Sequence, residues 1–398
     1  MTDNPSTPHV SYGELARFFL RFSLIAFGGP VAHIALAEDE LVTRRKWLTR
    51  EHYLDLVAAT NLIPGPNSTE VMIHVGYVLR GIPGALVTGI CFIGPAFLLT
   101  LALAALYVST GAIPQVAAIL WGIKPVIVAI IANVGYRLVL TALKTPFLWA
   151  LFIAAVAAIV LLDIPEVVVM VAAGLIYGLY VARPKLPSTL AFLLPLPTQW
   201  GGGWGEGMLA LVQTAPVSLF DIFFYFLKIG SVLFGSGYVL FAYIQQDVVD
   251  GFGWLTAQQL LDAIAVGQIT PGPVSTTVAM IGYILAGLPG AVAGTVGIFL
   301  PSFVLVILTA PLIPMMRKNA FLSAFLSGVN TGVIAAILVT LVDLLSASIR
   351  TIDGAAISPL AVVIGVAAMA LLLWTKVNAT WLILGGGGVG LVVGLLGG

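Results

Sequence analysis

Two Pro-Gly-Pro motifs inside apolar segments carry the clearest chemical signal in this sequence. Proline lacks a backbone N–H and clashes with the preceding turn, so each motif breaks a helix, and inside a bilayer such a break survives only where it is buried in protein or lines a wet cavity. The polar residues after each break are suited to capping a new helix, whose start concentrates N–H groups and partial positive charge. Two such helix starts predict a binding site for a small anion, with a purely structural kink as the alternative. The candidate ligands are Pro64, Gly65, Pro66, Asn67, Ser68 and Thr69 after and within the first break, and Pro271, Gly272, Pro273, Ser275 and Thr276 at the second.

A pair of small-residue turns lies upstream of these motifs. Gly28 and Gly29 form the first turn, and Gly235 begins the matching turn in the second part of the chain. We expect these turns to break their helices and to line the same cavity. Close helix packing through small residues is the alternative.

Three cationic side chains lie within apolar segments, where a charge costs about 2.5 to 3.5 kcal/mol on insertion scales. Arg21 and Lys228 occupy equivalent positions seven residues before the glycine turns, where their charges would balance a dianion. Lys124 has Asn330 as its counterpart, and this asymmetry suits a single cationic ligand. The alternatives are snorkelling of Arg21 and Lys228 towards the interface and a structural ion pair for Lys124.

Four further titratable residues are candidates for proton coupling. Glu70 and His74 are four residues apart and therefore share one face of the helix that follows the first break. The second half has Thr277 in place of the glutamate, so a relay through this pair would be one-sided. Asp55 and Asp262 match each other in the two halves. For all of them a structural pairing inside the helix bundle is the alternative.

The sequence contains no constellation typical of a soluble enzyme. It has no histidine cluster with metal-ligand spacing, no Gly-x-Ser-x-Gly elbow and no phosphate loop, and Cys91 is its only cysteine. We therefore expect no metal, no cofactor and no enzymatic activity. One enzymatic alternative stays open, in which Glu70 and His74 act on a lipid phosphate beside the cationic stretch at residues 44–50.

The composition requires a membrane as the solvent for these motifs. Of the 398 residues, 60% are hydrophobic and 9% are charged, compared with about 25% charged residues in an ordinary soluble domain. Apolar stretches of about 20 residues recur along the chain, each long enough to cross a bilayer. The net charge is zero, which gives no indication of a nucleic-acid partner. The first dozen residues lack the pattern of a cleavable signal peptide.

An internal repeat organises the chain. Most of the matched motifs recur at one constant spacing, so that Trp47 corresponds to Trp254 and the Pro-Gly-Pro motif at Pro64 to the one at Pro271. We predict a polar tail at 1–13, a first membrane repeat at 14–182, a proline- and glycine-rich linker at 183–216 and a second membrane repeat at 217–398.

The positive charges predict that the two repeats are inverted. The loop at residues 44–50 carries four cations and its counterpart at 247–254 carries none, whereas the loop at 109–112 is uncharged and its counterpart holds Arg317 and Lys318. The fold class is therefore an all-α polytopic membrane protein with two inverted-topology repeats and broken or re-entrant helices. The charge pattern favours a re-entrant hairpin at 53–79 and five crossings in each half. The predicted crossings are 14–38, 84–108, 113–140, 147–162 and 165–182 in the first half, and 218–244, 288–310, 321–345, 358–374 and 378–396 in the second.

These motifs resemble the long-chain members of the chromate ion transporter family. The resemblance rests on the stretch from Phe27 to His33, on both Pro-Gly-Pro motifs with their flanks, and on two homologous halves in about 400 residues. The second half departs from the family's glycine-glycine-proline form at 235–237.

The resemblance implies a secondary active transporter in the bacterial inner membrane that exports chromate and confers chromate resistance. It implies that the membrane potential or a proton gradient drives export. The expected partners are chromate or a related oxyanion and the lipid bilayer, with a homodimer as one open assembly and no nucleic acid. Because chromate and sulfate share charge and shape, a sulfate transporter stays open as an alternative, as does an oxyanion channel.

Overall fold

The computed structural model describes eight stretches of the chain. They are residues 10–60, 63–110, 114–182, 217–234, 237–311, 320–351, 356–375 and 377–396. The predicted linker at 183–216, most of the predicted polar tail, and Gly235, Arg317 and Lys318 lie outside the described residues.

The described residues of the first half form seven helices. Their bounds are α1 Tyr12–Ile25, α2 Gly29–Glu38, α3 Arg50–Thr60, α4 Asn67–Thr110, α5 Pro114–Ala142, α6 Pro146–Leu162 and α7 Glu166–Ala182. A π-helical turn, Asp39–Arg44, extends α2.

The described residues of the second half repeat this order. The helices are α8 Leu219–Val232, α9 Val239–Tyr243, α10 Ala257–Ile269, α11 Thr277–Thr309, α12 Ala320–Ser348, α13 Pro359–Trp374 and α14 Ala379–Leu395. A π-helical turn, Ile244–Gly251, extends α9, and a 3₁₀ turn, Val274–Thr276, precedes α11. The equivalent residues Ser11 and Ser218 cap α1 and α8 by accepting a hydrogen bond from the backbone three residues on. The capping box of Thr256 with Gln259 at the start of α10, expected from the sequence, is also present.

The long helix α4 consists of two antiparallel limbs. Arg80 and Gly81 leave helical geometry, with φ of −147° and +63°, and a Cβ on Gly76 would overlap the carbonyl oxygen of Gly84. Eight residues of continuous helix would instead separate these positions by about 12 Å. The second half repeats this reversal at Gly287, where φ is also +63°. The Pro-Gly-Pro break lies between α3 and the first limb of α4, at the tip of the hairpin predicted at 53–79.

The first segment of each half is also a hairpin, and its prediction as a single crossing at 14–38 and 218–244 was wrong. The Arg45 guanidinium lies 4.6 Å from the centre of the Phe18 ring. A continuous helix would instead place these two residues roughly 40 Å apart, since it rises about 1.5 Å per residue. In the second half the equivalent positions are occupied by Tyr225 and Phe252, whose ring centres are 5.9 Å apart. The chain therefore reverses at the glycine turns, which composition could not reveal, because a broken apolar segment has the same hydropathy as a continuous one.

The two halves are inverted, as their equivalent helices show. In α5 and α12, which match each other in the repeat, a Cβ on Gly135 would lie 3.4 Å from Ile337, and the Trp121 indole donates a hydrogen bond of 2.7 Å to the carbonyl of Arg350. Going back along α5 from Gly135 to Trp121 therefore corresponds to going forward along the second-half chain from Ile337 to Arg350. The two helices thus run antiparallel. With the first segment re-entrant, each half has four apolar helices after its hairpins, and the expected five crossings are not found in the described residues. The evidence for inversion is therefore the antiparallel packing of α5 and α12, and not an odd number of crossings in each half.

The outer surface of the bundle suits lipid. By length and composition four of the described helices could cross a membrane, namely Asn67–Ser109, Gln115–Ala142, Val274–Thr309 and Ala320–Ser348, and four shorter apolar helices accompany them. Large apolar side chains on the shorter helices are exposed, for example Leu161 at 77% and Trp381 at 71%. The chain is a multi-pass membrane protein.

The reversal in α4 predicts opposite effects of one substitution at two glycines. Gly76→Ala places a methyl group against the backbone of Gly84 and should destabilise the protein by about 1–3 kcal/mol through overpacking. Gly94→Ala lies in the same helix with open space around its Cβ and should stabilise it by up to about 1 kcal/mol, since alanine is the better helix former. Thermal unfolding in detergent measures both. Equal midpoints for the two variants would contradict the two-limb description.

Candidate functional site

The two Pro-Gly-Pro breaks are held by crossed backbone hydrogen bonds between the halves. We call residues 63–66 and 270–273 the proline tips, and residues 26–29 and 233–237 the glycine tips. The N–H of Gly65 donates to the carbonyl of Leu233 at 2.7 Å, and the N–H of Gly272 donates to the carbonyl of Ala26 at 2.9 Å. The two donors match each other in the repeat, and so do the two acceptors. The same contact is therefore made twice, and a pseudo-two-fold axis relates the two copies.

Glycine is required at the centre of each proline tip. Gly65 and Gly272 have φ of +149° and +96°, in the region that side chains rarely adopt. A Cβ on Gly65 would overlap the carboxylate of Glu70 and would lie 2.6 Å from the Ser302 hydroxyl. On Gly272 it would lie 2.6 Å from the Ala96 methyl group. Each tip is therefore packed directly against the crossing helices.

The first glycine tip also lies against Tyr238, the residue that follows the second glycine tip. A Cβ on Gly29 would lie 2.9 Å from the phenolic oxygen of Tyr238, and one on Gly237 would lie 3.6 Å from the hydroxyl of Ser275. Gly28, with φ of +101°, lies beside the amide of Asn378. The contacts run in sequence from one proline tip through both glycine tips to the other proline tip. The structure thus brings the predicted breaks together in one central zone, with Gly235 outside the described residues.

The helix starts after the proline tips are buried and partly engaged. Ser68, Thr69, Ser275 and Thr276 are each at most 2% exposed. In the first half, the N–H groups of Thr69 and Glu70 donate to the Pro66 carbonyl at 2.8 and 3.1 Å. In the second half, the Thr276 hydroxyl donates to the Pro273 carbonyl at 2.7 Å. Asn67 is half-buried at the start of α4.

Buried polar atoms without a hydrogen-bond partner among the described residues gather around these tips. They belong to Thr69, Glu70, His74, Gln268, Ser275 and Ser302. A buried polar group without a partner costs free energy, so a polar ligand that completed these bonds would stabilise the site. This hydrogen-bonding capacity, set between two helix starts, is suited to a small oxyanion.

Two residues of this zone were not predicted as site residues. His33 is fully buried in α2, and its Nε2 lies 2.9 Å from the Ala26 carbonyl, which also accepts the bond from Gly272. Ser302 stands where the first half has Ala96, directly after the prolines that match in the repeat. A polar residue replacing an apolar one at a matched position was the signal that could have found Ser302.

Lys124 and Asp262 form a buried ion pair with each other. The Lys124 ammonium is 2.9 Å from an Asp262 oxygen, and their side chains are 12% and 9% exposed. Tyr107 donates to the other Asp262 oxygen at 2.9 Å. This is the structural ion pair given above as the alternative for Lys124. Asp55, the counterpart of Asp262, is half-buried in α3.

Arg21 and Lys228 lie on exposed faces of α1 and α8, away from the tips. Arg21 lines a cavity of about 350 Å³ together with Glu14, Arg17, Phe18 and Arg45. Lys228 pairs with Asp247 at 3.4 Å and is 59% exposed. The two cations therefore lie at the mouths of the first hairpins, where they would act on an approaching anion.

Two inverted halves whose broken helices meet at the centre are the architecture of secondary transporters. The model of the chromate transporter family matches residues 13–179 and 220–391, and the chain belongs to this family. It is therefore a transport protein and not an enzyme, which removes the lipid-phosphate alternative.

Several curated relatives match along most of their length. A chromate transport protein of Cupriavidus metallidurans is 32% identical, over 97% of this chain and 94% of its own. A chromate transport protein of Pseudomonas aeruginosa is 31% identical, over 85% of this chain and 82% of its own. A probable chromate transport protein of Synechococcus elongatus is 30% identical, over 86% and 88%. No solved structure matches the chain.

The ion pair of Lys124 and Asp262 predicts a non-additive pattern of stability. Lys124→Met leaves Asp262 buried without its cation and should cost about 3–5 kcal/mol. The double variant Lys124→Met with Asp262→Leu removes both charges and should recover most of that loss. Unfolding midpoints in detergent compare the two. A double variant as unstable as the single one would contradict a mainly structural pair.

Proposed function

We propose that this chain is a secondary active transporter that exports chromate, or a similar tetrahedral oxyanion, across the bacterial inner membrane. The dianion binds between the two proline tips, where Ser68 and Thr69 approach it from one half and Ser275 and Thr276 from the other. The named chromate transport proteins among the relatives support the substrate. The buried polar atoms around the tips support the position.

The crossed hydrogen bonds are the single observation that carries this proposal. Each proline tip is bound to the glycine tip of the other half, at 2.7 and 2.9 Å. A relative movement of the halves must therefore change both ends of the site together. Such rocking of one repeat against the other around a fixed central site is how inverted-repeat transporters alternate access.

The charged residues have two roles, which are attracting the anion and coupling its transport to protons. Arg21 and Lys228 attract the dianion to the mouths, where Arg21 has Arg17 and Arg45 beside it in one cavity. Glu70, whose carboxylate lies against Gly65, and His74 one turn further along are the proton-coupling pair nearest the anion. Asp55 and Asp262 are the weaker coupling candidates, since Asp262 is already neutralised by Lys124. A proton gradient or the membrane potential drives export.

Removal of the two matched serine hydroxyls tests the site. We expect Ser68→Ala combined with Ser275→Ala to reduce chromate transport by roughly a hundredfold, because two hydrogen bonds to a charged ligand contribute about 3 kcal/mol or more. Uptake of radiolabelled chromate into proteoliposomes, with sulfate as competitor, gives the measurement.

Ser231→Ala is the matched control, since this serine is exposed in α8 and its hydroxyl donates to the Leu227 carbonyl. It should leave transport unchanged. Wild-type transport by the double serine variant at normal protein levels would refute the site. Transport of sulfate in preference to chromate would keep the site and change the substrate.

A further inference from the structure

A second buried acid, Glu166, lies far along the chain from the proline tips and has no role in the proposed site. It is the first residue of α7, is 2% exposed, and its Oε2 has no hydrogen-bond partner among the described residues. Thr340 of α12 donates to its carboxylate. Its own N–H lies 3.4 Å from the side-chain oxygen of Gln246.

Glu166 is surrounded by acids from two other elements. Asp247 and Asp250, in the π-helical turn after α9, and Asp343, in α12, are close enough to act on it electrostatically. The cation that the described residues show in this cluster is Lys228, which pairs with Asp247 and is 59% exposed. Burying an unpaired negative charge beside others is costly, and binding one proton removes that cost. The described residues contain no group of three or more His, Cys, Asp or Glu residues that could hold a metal ion.

Tyrosine hydroxyls connect this cluster to the transport site. Tyr243, which lies within electrostatic reach of Glu166, has its hydroxyl 3.0 Å from the sulfur of Met170, one turn after Glu166. The same hydroxyl lies 3.4 Å from the carbonyl of Val232. The carbonyl of the next residue, Leu233, accepts the hydrogen bond from the N–H of Gly65. Tyr225 donates to the Tyr243 carbonyl at 3.1 Å. Glu166 is thus linked to the first proline tip through Tyr243, the adjoining residues Val232 and Leu233, and the hydrogen bond from Gly65.

The cluster exists on one side of the pseudo-two-fold axis only. The residue that begins the equivalent helix α14 is Ala379, and the counterpart of Asp343 is Arg137. The counterpart of Asp247 is Glu40, which is paired with Arg44 and Arg45. The two mouths of an otherwise symmetric scaffold therefore differ, with a buried acid that can bind a proton at one and salt-bridged acids at the other.

We propose that Glu166 is a proton-binding site, additional to Glu70 and His74, which couples a proton gradient to the position of the second glycine tip. The proposal rests on the proposed function. In proteoliposomes, Glu166→Gln should lose the acceleration of chromate transport by an imposed pH gradient. It should keep chromate counterflow without a gradient, because exchange needs the binding site but no net proton movement.

Two control variants accompany this experiment. Asp163→Asn changes an exposed acid three residues away and should keep both activities. Glu166→Asp retains a carboxyl group and should restore part of the pH response. Size-exclusion chromatography in detergent checks that each variant folds.

The outcomes separate the two proposals. Full acceleration by the pH gradient in Glu166→Gln, or loss of its counterflow as well, overturns the coupling role of Glu166. Acceleration of the wild type by a sodium gradient in place of the pH gradient overturns the proton as the coupled ion. A wild-type protein that shows neither uptake nor counterflow of chromate refutes the proposed function itself.

Discussion

The backbone hydrogen bonds of a broken helix inside a membrane must be satisfied by protein, because lipid offers no partner. In this chain each half supplies what the other lacks: Gly65 donates to Leu233, and Gly272 donates to Ala26. Neither proline tip is complete without the other half. The arrangement therefore fixes the two repeats against each other at the point where the polar atoms collect. It also makes that point sensitive to any movement of one half relative to the other.

The scaffold is nearly symmetric, whereas its chemistry is not. Around the first proline tip lie Glu70 and Ser302, whose matched residues in the repeat, Thr277 and Ala96, are uncharged and apolar, respectively. The acidic cluster of Glu166 belongs to the second mouth alone. The matched tips present equivalent groups to both faces, so any functional difference between the two faces must come from the residues that break the symmetry. This is why the differences between the halves carry as much functional information as their matched motifs.

The sequence predicted the parts of the fold that depend on local residue types. The repeat, the inversion, the hairpin around Pro64 and the family followed from proline, glycine and charge positions, and all were confirmed. The reversal at Gly28 was missed because hydropathy cannot distinguish a re-entrant segment from a crossing of similar length. Ser302 was missed although it is polar where its match, Ala96, is apolar, and His33 was missed because the importance of its partner, the Ala26 carbonyl, comes from the hydrogen bond that Gly272 of the other half also donates to it. The proposed ligands, among them Ser68, remain predictions, and their burial beside the proline tips fits an anion site.

The central claim, that the tips of the two halves meet and must move against each other, can be tested with one disulfide. The hydroxyls of Thr100 and Thr270, one from each half, lie 3.3 Å apart beside the second proline tip. Cys91 is the only cysteine, so Thr100→Cys and Thr270→Cys can be introduced in a Cys91→Ser background. Mild oxidation should join the halves, as seen on a gel after protease cleavage between them, and should stop chromate transport until a reductant is added. Failure of the halves to cross-link, or full transport by the cross-linked protein, would contradict this account.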